Sequence, residues 1–113
     1  MEYKDKLKTV TKAVLSEINR AKLLHKGDFN NLHEAYAVLF EEVDELWDLV
    51  KTNPLKHYSS MAAYKADVQK EAIQVCAMAI RLIVECTVAN FDDMEMFPNS
   101  VHSKIVSSFN KAL

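Results

Sequence analysis

The sequence predicts an all-α protein whose four helices form a bundle within a single domain spanning residues 1–113. Two observations support this fold class. One Gly and two Pro are too few for the many turns of a β protein, and apolar residues recur at steps of three and four along the chain. A chain of 113 residues can form one hydrophobic core but is too short for two domains or a barrel.

The charge composition excludes several functional classes. Sixteen acidic and 14 basic residues give a net charge of −2, so we expect no general attraction to nucleic acid polymers or anionic membranes. The amino terminus is lysine-rich and lacks the continuous apolar core of a signal peptide, which favours a cytoplasmic location. Cys76 and Cys86 lie on one predicted helix, too far apart for a disulfide, and we expect both to be reduced and in the core.

The first predicted helix covers residues 4–26 and is followed by Gly27, a residue that commonly ends helices. Its apolar stripe consists of Leu7, Val10, Val14, Ile18, Ala21 and Leu24. The segment is also rich in basic residues, namely Lys4, Lys6, Lys8, Lys12, Arg20, Lys22 and Lys26. We interpret these as an exposed charged face, with phosphate binding as the alternative.

The second predicted helix covers residues 31–53. Asn31 and Glu34 have the spacing of a capping box, and Pro54 forces the helix to stop. We expect its main apolar stripe to face the core; the stripe consists of Leu32, Tyr36, Leu39, Val43, Leu46 and Val50.

The third predicted helix covers residues 61–89 and begins after Ser59 or Ser60, either of which can cap it. Residues 72–89 are apolar almost all the way round, so we expect this to be the buried central helix. A membrane span is the competing interpretation, but Arg81 and Glu85 would make it costly. A last helix is predicted over residues 100–112, capped by Ser100.

Two carboxylates interrupt an apolar row of the second helix. Glu42 and Glu45 follow Ala35 and Val38 and precede Leu49 at steps of three and four, so they share one face. Ionised carboxylates on adjacent turns repel each other and are costly to enclose without a cation. A positive group is therefore expected beside them.

The third helix carries a single polar strip that contains Glu71 and Gln74. If this strip faces solvent, it is an ordinary outer surface. If it faces the second helix, its side chains converge with Glu42 and Glu45 as four oxygen donors. Such a set selects a hard ion, most commonly Mg²⁺ with Mn²⁺ as its substitute.

The order of these residues resembles a known family. Glu41, Glu42 and Glu45 form the pattern Glu-Glu-x-x-Glu, and after 25 intervening residues Glu71 begins Glu-x-x-Gln. With the flanking segments 28–39 and 70–81, this resembles the MazG-like, all-α nucleoside triphosphate pyrophosphohydrolases of bacteria and phages. The resemblance covers residues 27–84.

The resemblance implies an activity, a metal and an assembly. Members of the family hydrolyse a nucleoside triphosphate, either ribo or deoxy, to the monophosphate and pyrophosphate, and they form homodimers or homotetramers. Carried over, the Mg²⁺ ligands are Glu42, Glu45, Glu71 and Gln74. Gln74 departs from the family, which commonly has Asp there. An amide oxygen can still coordinate Mg²⁺, but the site loses one negative charge.

Further roles follow from position relative to these ligands. Glu41 is the candidate to orient or deprotonate the attacking water, or else it is merely exposed. Arg81 is a candidate phosphate ligand, although an ion pair with Glu85 is the competing use. Phe29, Asn31 and His33 are candidates for binding the base.

Two other functions stay open at this level. One is a nucleotide-binding homologue in which Gln74 has reduced or abolished turnover. The other is a helical interaction module without chemistry, whose acidic run is simply surface.

Overall fold

The computed structural model describes residues 1–87, which form four α-helices and contain no β-strand. The helices are α1 (Tyr3–Leu24), α2 (Leu32–Val50), α3 (Pro54–His57) and α4 (Met61–Cys86). The all-α prediction is confirmed for this part of the chain. The helix predicted over residues 100–112 lies outside the described residues, as do the last two residues of the predicted third helix.

The helix starts follow the predicted caps. The Asn31 side chain accepts a hydrogen bond from the Glu34 amide at 2.9 Å and begins α2. Only half of the capping box forms, because the Glu34 carboxylate accepts from Asn30 instead, at 2.7 Å from its Nδ2. Ser60 rather than Ser59 caps α4, accepting from the Ala63 amide at 3.1 Å.

Two predicted helix ends are too late in the chain. The first helix ends at Leu24, and Gly27, with φ +108°, lies in the loop that follows. α2 ends at Val50, where Lys51 and Thr52 form a turn. Pro54 then does more than stop a helix, because its fixed φ suits a first helical turn and it begins α3. The Asn53 side chain caps that turn by accepting from the Leu55 amide.

α4 lies between its neighbours, since α1, α2 and α3 all pack against it. Val14 and Ala21 of α1 form the core with Ala77 and Met78 of α4, and partly buried apolar side chains surround them. These side chains are Ile18, Phe29, Val38, Leu39, Ile73 and Ile80. The prediction of a central helix is confirmed.

The prediction that α4 is fully buried is wrong within the described residues. Its buried residues are Ala77, Met78 and Arg81, whereas Val84 is 58% exposed. Cys76 is also exposed rather than part of the core, and Cys86 is partly buried; both are free thiols. The core is narrow, so one side of α4 stays open. No helix among residues 1–87 combines the length and apolar character that crossing a membrane requires.

The face of α2 that packs against the core differs from the prediction. Leu32, Tyr36, Val43 and Val50 of the predicted stripe are each at least 42% exposed, and only its Leu39 and Leu46 are partly buried. The flanking row is the one turned inward: Ala35 is fully buried, with Val38, Glu42 and Leu49 partly so. The small Ala35 side chain allows close helix approach, and this rotation brings the acidic row to α4.

Candidate metal centre

α2 and α4 bring three carboxylates together. Glu42, partly buried, and Glu45, exposed, lie on successive turns of α2, and Glu71, partly buried, lies on the polar strip of α4. One oxygen from each of the three carboxylates lies within 4.8 Å of the other two. The polar strip of α4 therefore faces α2, and this orientation brings the oxygen ligands of the two helices together.

Gln74 completes the group. It lies one turn after Glu71, and its amide nitrogen, turned toward the carboxylates, donates to Glu42 Oε2 at 2.9 Å and to Glu71 Oε2 at 3.0 Å. The amide thus supplies two hydrogen bonds but no positive charge. Rotation of the same amide by half a turn would present its oxygen to a cation held between the carboxylates.

The electrostatics of the cluster are those of crowded, partly enclosed carboxylates. Burial, followed by the charges of Glu45 and Glu71, raises the pKa of Glu42 to about 7. Burial and the charge of Glu45 likewise raise the pKa of Glu71. Among the described residues, no Lys or Arg forms an ion pair with any of the three.

Glu85 of α4 provides an internal contrast. Only 5% of its side chain is exposed, and its carboxylate accepts from Arg81 Nε at 2.7 Å and from the Phe29 amide at 2.9 Å. Burial acts to raise the pKa of Glu85, but these hydrogen bonds outweigh it and hold that pKa below its usual range. Within residues 1–87, Glu85 thus has an ion-pair partner and the three carboxylates of the cluster have none.

The donor set of the cluster fits a divalent cation. Three carboxylates and an amide oxygen are hard ligands of the kind Mg²⁺ and Mn²⁺ prefer, and two of the three carboxylates sit on adjacent helical turns. A divalent cation would offset the mutual repulsion that, together with burial, raises the pKa values of Glu42 and Glu71.

A cavity of about 610 Å³ borders the cluster on one side. It lies between α1, the loop before α2, and the facing surfaces of α2 and α4. Glu41, Glu42 and Gln74 line the wall nearest the cluster. The volume falls within the range of small-molecule sites. Glu41 is exposed at the edge of this cavity and does not belong to the three-carboxylate group.

Two of the predicted substrate-binding residues line the same cavity. Phe29 is partly buried, and the Arg81 guanidinium lies over its ring at 4.3 Å from the centroid. Arg81 is 5% exposed and forms the predicted ion pair with Glu85, so that use of Arg81 is confirmed. Contact between Arg81 and a phosphate stays a prediction.

Asn31 and His33 are placed differently. The Asn31 side chain is occupied as the cap of α2, and His33 is exposed on its first turn. Neither is among the described residues that line the cavity. Their predicted role in base binding is therefore without support from position.

Sequence reasoning missed two residues near the cluster. Glu17 and Arg20 of α1 line the cavity and form an ion pair, with Arg20 Nε donating to Glu17 Oε2 at 2.9 Å. The concentration of basic residues in the first helix was the available signal. That signal could not show which basic residue faces the carboxylates, because this depends on how α1 packs against α4.

Comparison of the chain with family models, curated proteins and solved structures finds no match.

Replacing Glu42 with Gln is expected to stabilise the metal-free protein at pH 8. The pKa of Glu42 is about 7 in the folded chain against an ordinary value of 4.5, so folding disfavours its ionised form. Stability is therefore lost as the pH rises from about 4.5 to about 7, and the variant escapes that loss. Allowing for partial solvent screening, we expect a gain of about 1–2 kcal/mol at pH 8.

The measurement is urea unfolding of both proteins at pH 4.5 and pH 8 with a chelator present. At pH 4.5 the two should differ much less than at pH 8, because Glu42 is then protonated in the folded chain and about half protonated in the unfolded chain. A variant less stable than wild type at pH 8 would show that Glu42 is not electrostatically strained.

Proposed function

We propose that the protein is a Mg²⁺-dependent nucleoside triphosphate pyrophosphohydrolase. The observation that carries the proposal is the cluster of Glu42, Glu45 and Glu71, which has no cation from the described residues and borders a cavity of substrate size. The Glu-Glu-x-x-Glu and Glu-x-x-Gln pattern, which resembles the MazG-like family, supports the same activity.

Glu42, Glu45, Glu71 and the carbonyl oxygen of Gln74 would hold the metal. When bound, Mg²⁺ neutralises charge on the triphosphate oxygens and orients them for in-line attack. The carboxylates define where the triphosphate lies, because a Mg²⁺–nucleotide complex keeps its phosphates next to the protein ligands. The cavity on the Glu42 side then receives the remainder of the nucleotide.

Glu41 is assigned to the water. Glu41 directly precedes Glu42 on α2, and its side chain points about 100° away from that of Glu42, toward the cavity edge. This position puts it near the substrate without making it a metal ligand. In the reaction, the water oxygen bonds to the α-phosphorus, the bond from that phosphorus to the bridging oxygen breaks, and pyrophosphate leaves. Glu41 accepts the proton that the water loses.

Gln74 favours a second candidate, a nucleotide-binding homologue with reduced turnover. The amide adds no negative charge to the cluster, and its hydrogen bonds to Glu42 and Glu71 must break before its oxygen can meet a cation. Both effects weaken metal binding relative to a carboxylate. Gln74→Asp should then raise turnover.

The test is pyrophosphate release from a panel of ribo- and deoxynucleoside triphosphates with Mg²⁺ or Mn²⁺, repeated with a chelator. We expect release that requires the metal. Nucleotide binding without release, restored by Gln74→Asp, would favour the second candidate. Neither binding nor release from any substrate would contradict both and favour an interaction module.

We also infer that the protein assembles as a homodimer or homotetramer through the outer face of α2. This face is a continuous apolar stripe along the helix, and all of its large side chains are at least 42% exposed: Leu32, Tyr36, Phe40, Val43, Trp47 and Val50. Exposed apolar surface of this extent is typical of an interface. A copy of the same chain can cover it by presenting the same stripe in a two-fold arrangement.

Trp47→Lys is expected to shift the protein toward monomer, because it places a charge in the middle of the stripe. Sedimentation velocity of wild type and variant measures the change. Leu55→Lys is the matched control, since Leu55 is 87% exposed on α3 and lies off the stripe. Assembly of Trp47→Lys indistinguishable from wild type would exclude α2 as the interface.

A further inference from the structure

The cavity beside the cluster is lined by charged side chains of both signs. Glu42 of α2 and Gln74 of α4 line it together with Arg20 of α1. Arg20, Glu17 and Gln74 also line a second cavity, of about 670 Å³. The two cavities thus share these three residues, and the exposed Arg20 guanidinium lies close enough to Glu42 for their charges to interact.

The other cations of the first cavity are less suited to hold a ligand. Arg81 is buried, and its Nε and Nη2 both donate to Glu85. Lys26 is exposed in the loop after α1 and does not line the second cavity. Arg20 is held on a helix, its side chain is 55% exposed, and it faces the cavity.

The present partner of Arg20 is an exchangeable one. Nε and Nη2 donate to Glu17, and in the described part of the chain Nη1 donates no hydrogen bond. An ion pair with one partner this exposed contributes little to stability. Glu17 itself adds a negative charge near Glu42 and thereby contributes to the raised pKa of that residue.

We propose that Arg20 breaks its ion pair with Glu17 and binds a phosphate of the substrate. This rests on the proposed function, which puts a triphosphate at the cluster. A triphosphate held at the cluster would place negative charge within reach of Arg20, whose planar guanidinium could donate two parallel hydrogen bonds to phosphate oxygens. Arg20 is thus a substrate-binding residue contributed by α1, outside the two acidic motifs.

The test measures equilibrium binding of inorganic tripolyphosphate, with Mg²⁺ present, by calorimetry. Arg20→Gln is expected to weaken binding roughly tenfold. Lys12→Gln removes the same charge from an exposed position on the same helix that lines none of the described cavities, and should change binding less than about twofold. Arg20→Lys keeps the charge but not the paired N–H donors of the guanidinium, so its affinity should lie between those of wild type and Arg20→Gln.

Glu17→Gln separates binding from structure. If Arg20 serves only to pair with Glu17, both substitutions at this pair lower the melting temperature equally and neither alters tripolyphosphate binding. Under the proposal, Glu17→Gln frees Arg20 and removes a repelling charge, so binding is equal to wild type or tighter. Binding by Arg20→Gln that equals Lys12→Gln would overturn the proposal.

Failure of this proposal and failure of the proposed function give different results. Wild-type turnover with an unchanged KM in Arg20→Gln overturns the role of Arg20 and leaves the pyrophosphohydrolase standing. Wild-type protein that binds neither tripolyphosphate nor Mg²⁺, as judged by its melting temperature, overturns both.

Discussion

Glu45→Gln is expected to lower metal-dependent pyrophosphate release on the order of 100-fold or more, because it removes one of three carboxylates from the proposed Mg²⁺ site. The helices should be unaffected, since Glu45 is exposed and Gln is an equally good helix former. The same substitution should abolish metal stabilisation: in wild type, about 10 mM Mg²⁺ is expected to raise the melting temperature by roughly 5 °C.

Asp44→Asn is the matched control. Asp44 precedes Glu45 on α2, is likewise exposed, and loses the same charge, but it does not belong to the three-carboxylate group. It should retain both turnover and the Mg²⁺ response. Equal losses in the two variants would mean that general negative charge, rather than a site, attracts the metal. Equal melting temperatures with and without Mg²⁺ in wild type would contradict the metal centre itself.

The helices could be predicted because their signals are local. The Asn31 and Ser60 caps and the apolar periodicity each act within a few residues, and the structure begins α2 and α4 at those caps. The pairing of Glu42 and Glu45 on one face also follows from helical geometry alone. The sequence left two orientations open for Glu71 and Gln74, toward solvent or toward Glu42 and Glu45. The choice depends on how α4 packs, which the sequence pattern does not give.

The packing face of α2 could not be predicted from apolarity. A stripe containing Tyr36 and Val43 has the stronger hydrophobic pattern, but the pattern does not say whether the same chain covers it. The contact with α4 instead uses a row that begins with the small, fully buried Ala35. Close approach of backbones, which periodicity does not measure, decided the rotation of the helix.

Some contacts of the charged residues around the cavity could be predicted from the sequence, and others could not. Arg81 and Glu85 are four residues apart on one helix, so their pairing could be anticipated. The contacts of Glu85 with the Phe29 amide and with Lys22, at 3.6 Å, join parts of the chain more than 50 residues apart. Only the fold shows that this pair also fastens α1 and the loop before α2 to α4.

Arg81→Met is expected to destabilise the protein by about 3 kcal/mol, which lowers the melting temperature by roughly 10–20 °C for a domain of this size. Among residues 1–87, the substitution leaves the Glu85 carboxylate, 5% exposed, with the more distant Lys22 as its one cationic partner. It also removes the guanidinium from the Phe29 ring. Thermal unfolding at pH 7 followed by circular dichroism measures the change.

The double variant Arg81→Met/Glu85→Leu tests whether a lone buried charge is the reason. It should be no less stable than Arg81→Met, because no ionised group is then left unpaired, whereas independent contributions would add. Arg81→Lys at a temperature well below unfolding tests the remaining alternative. If Arg81 only stabilises the fold, this variant keeps the KM of wild type and has a lower melting temperature. A raised KM in a fully folded Arg81→Lys would instead indicate that the guanidinium contacts the substrate.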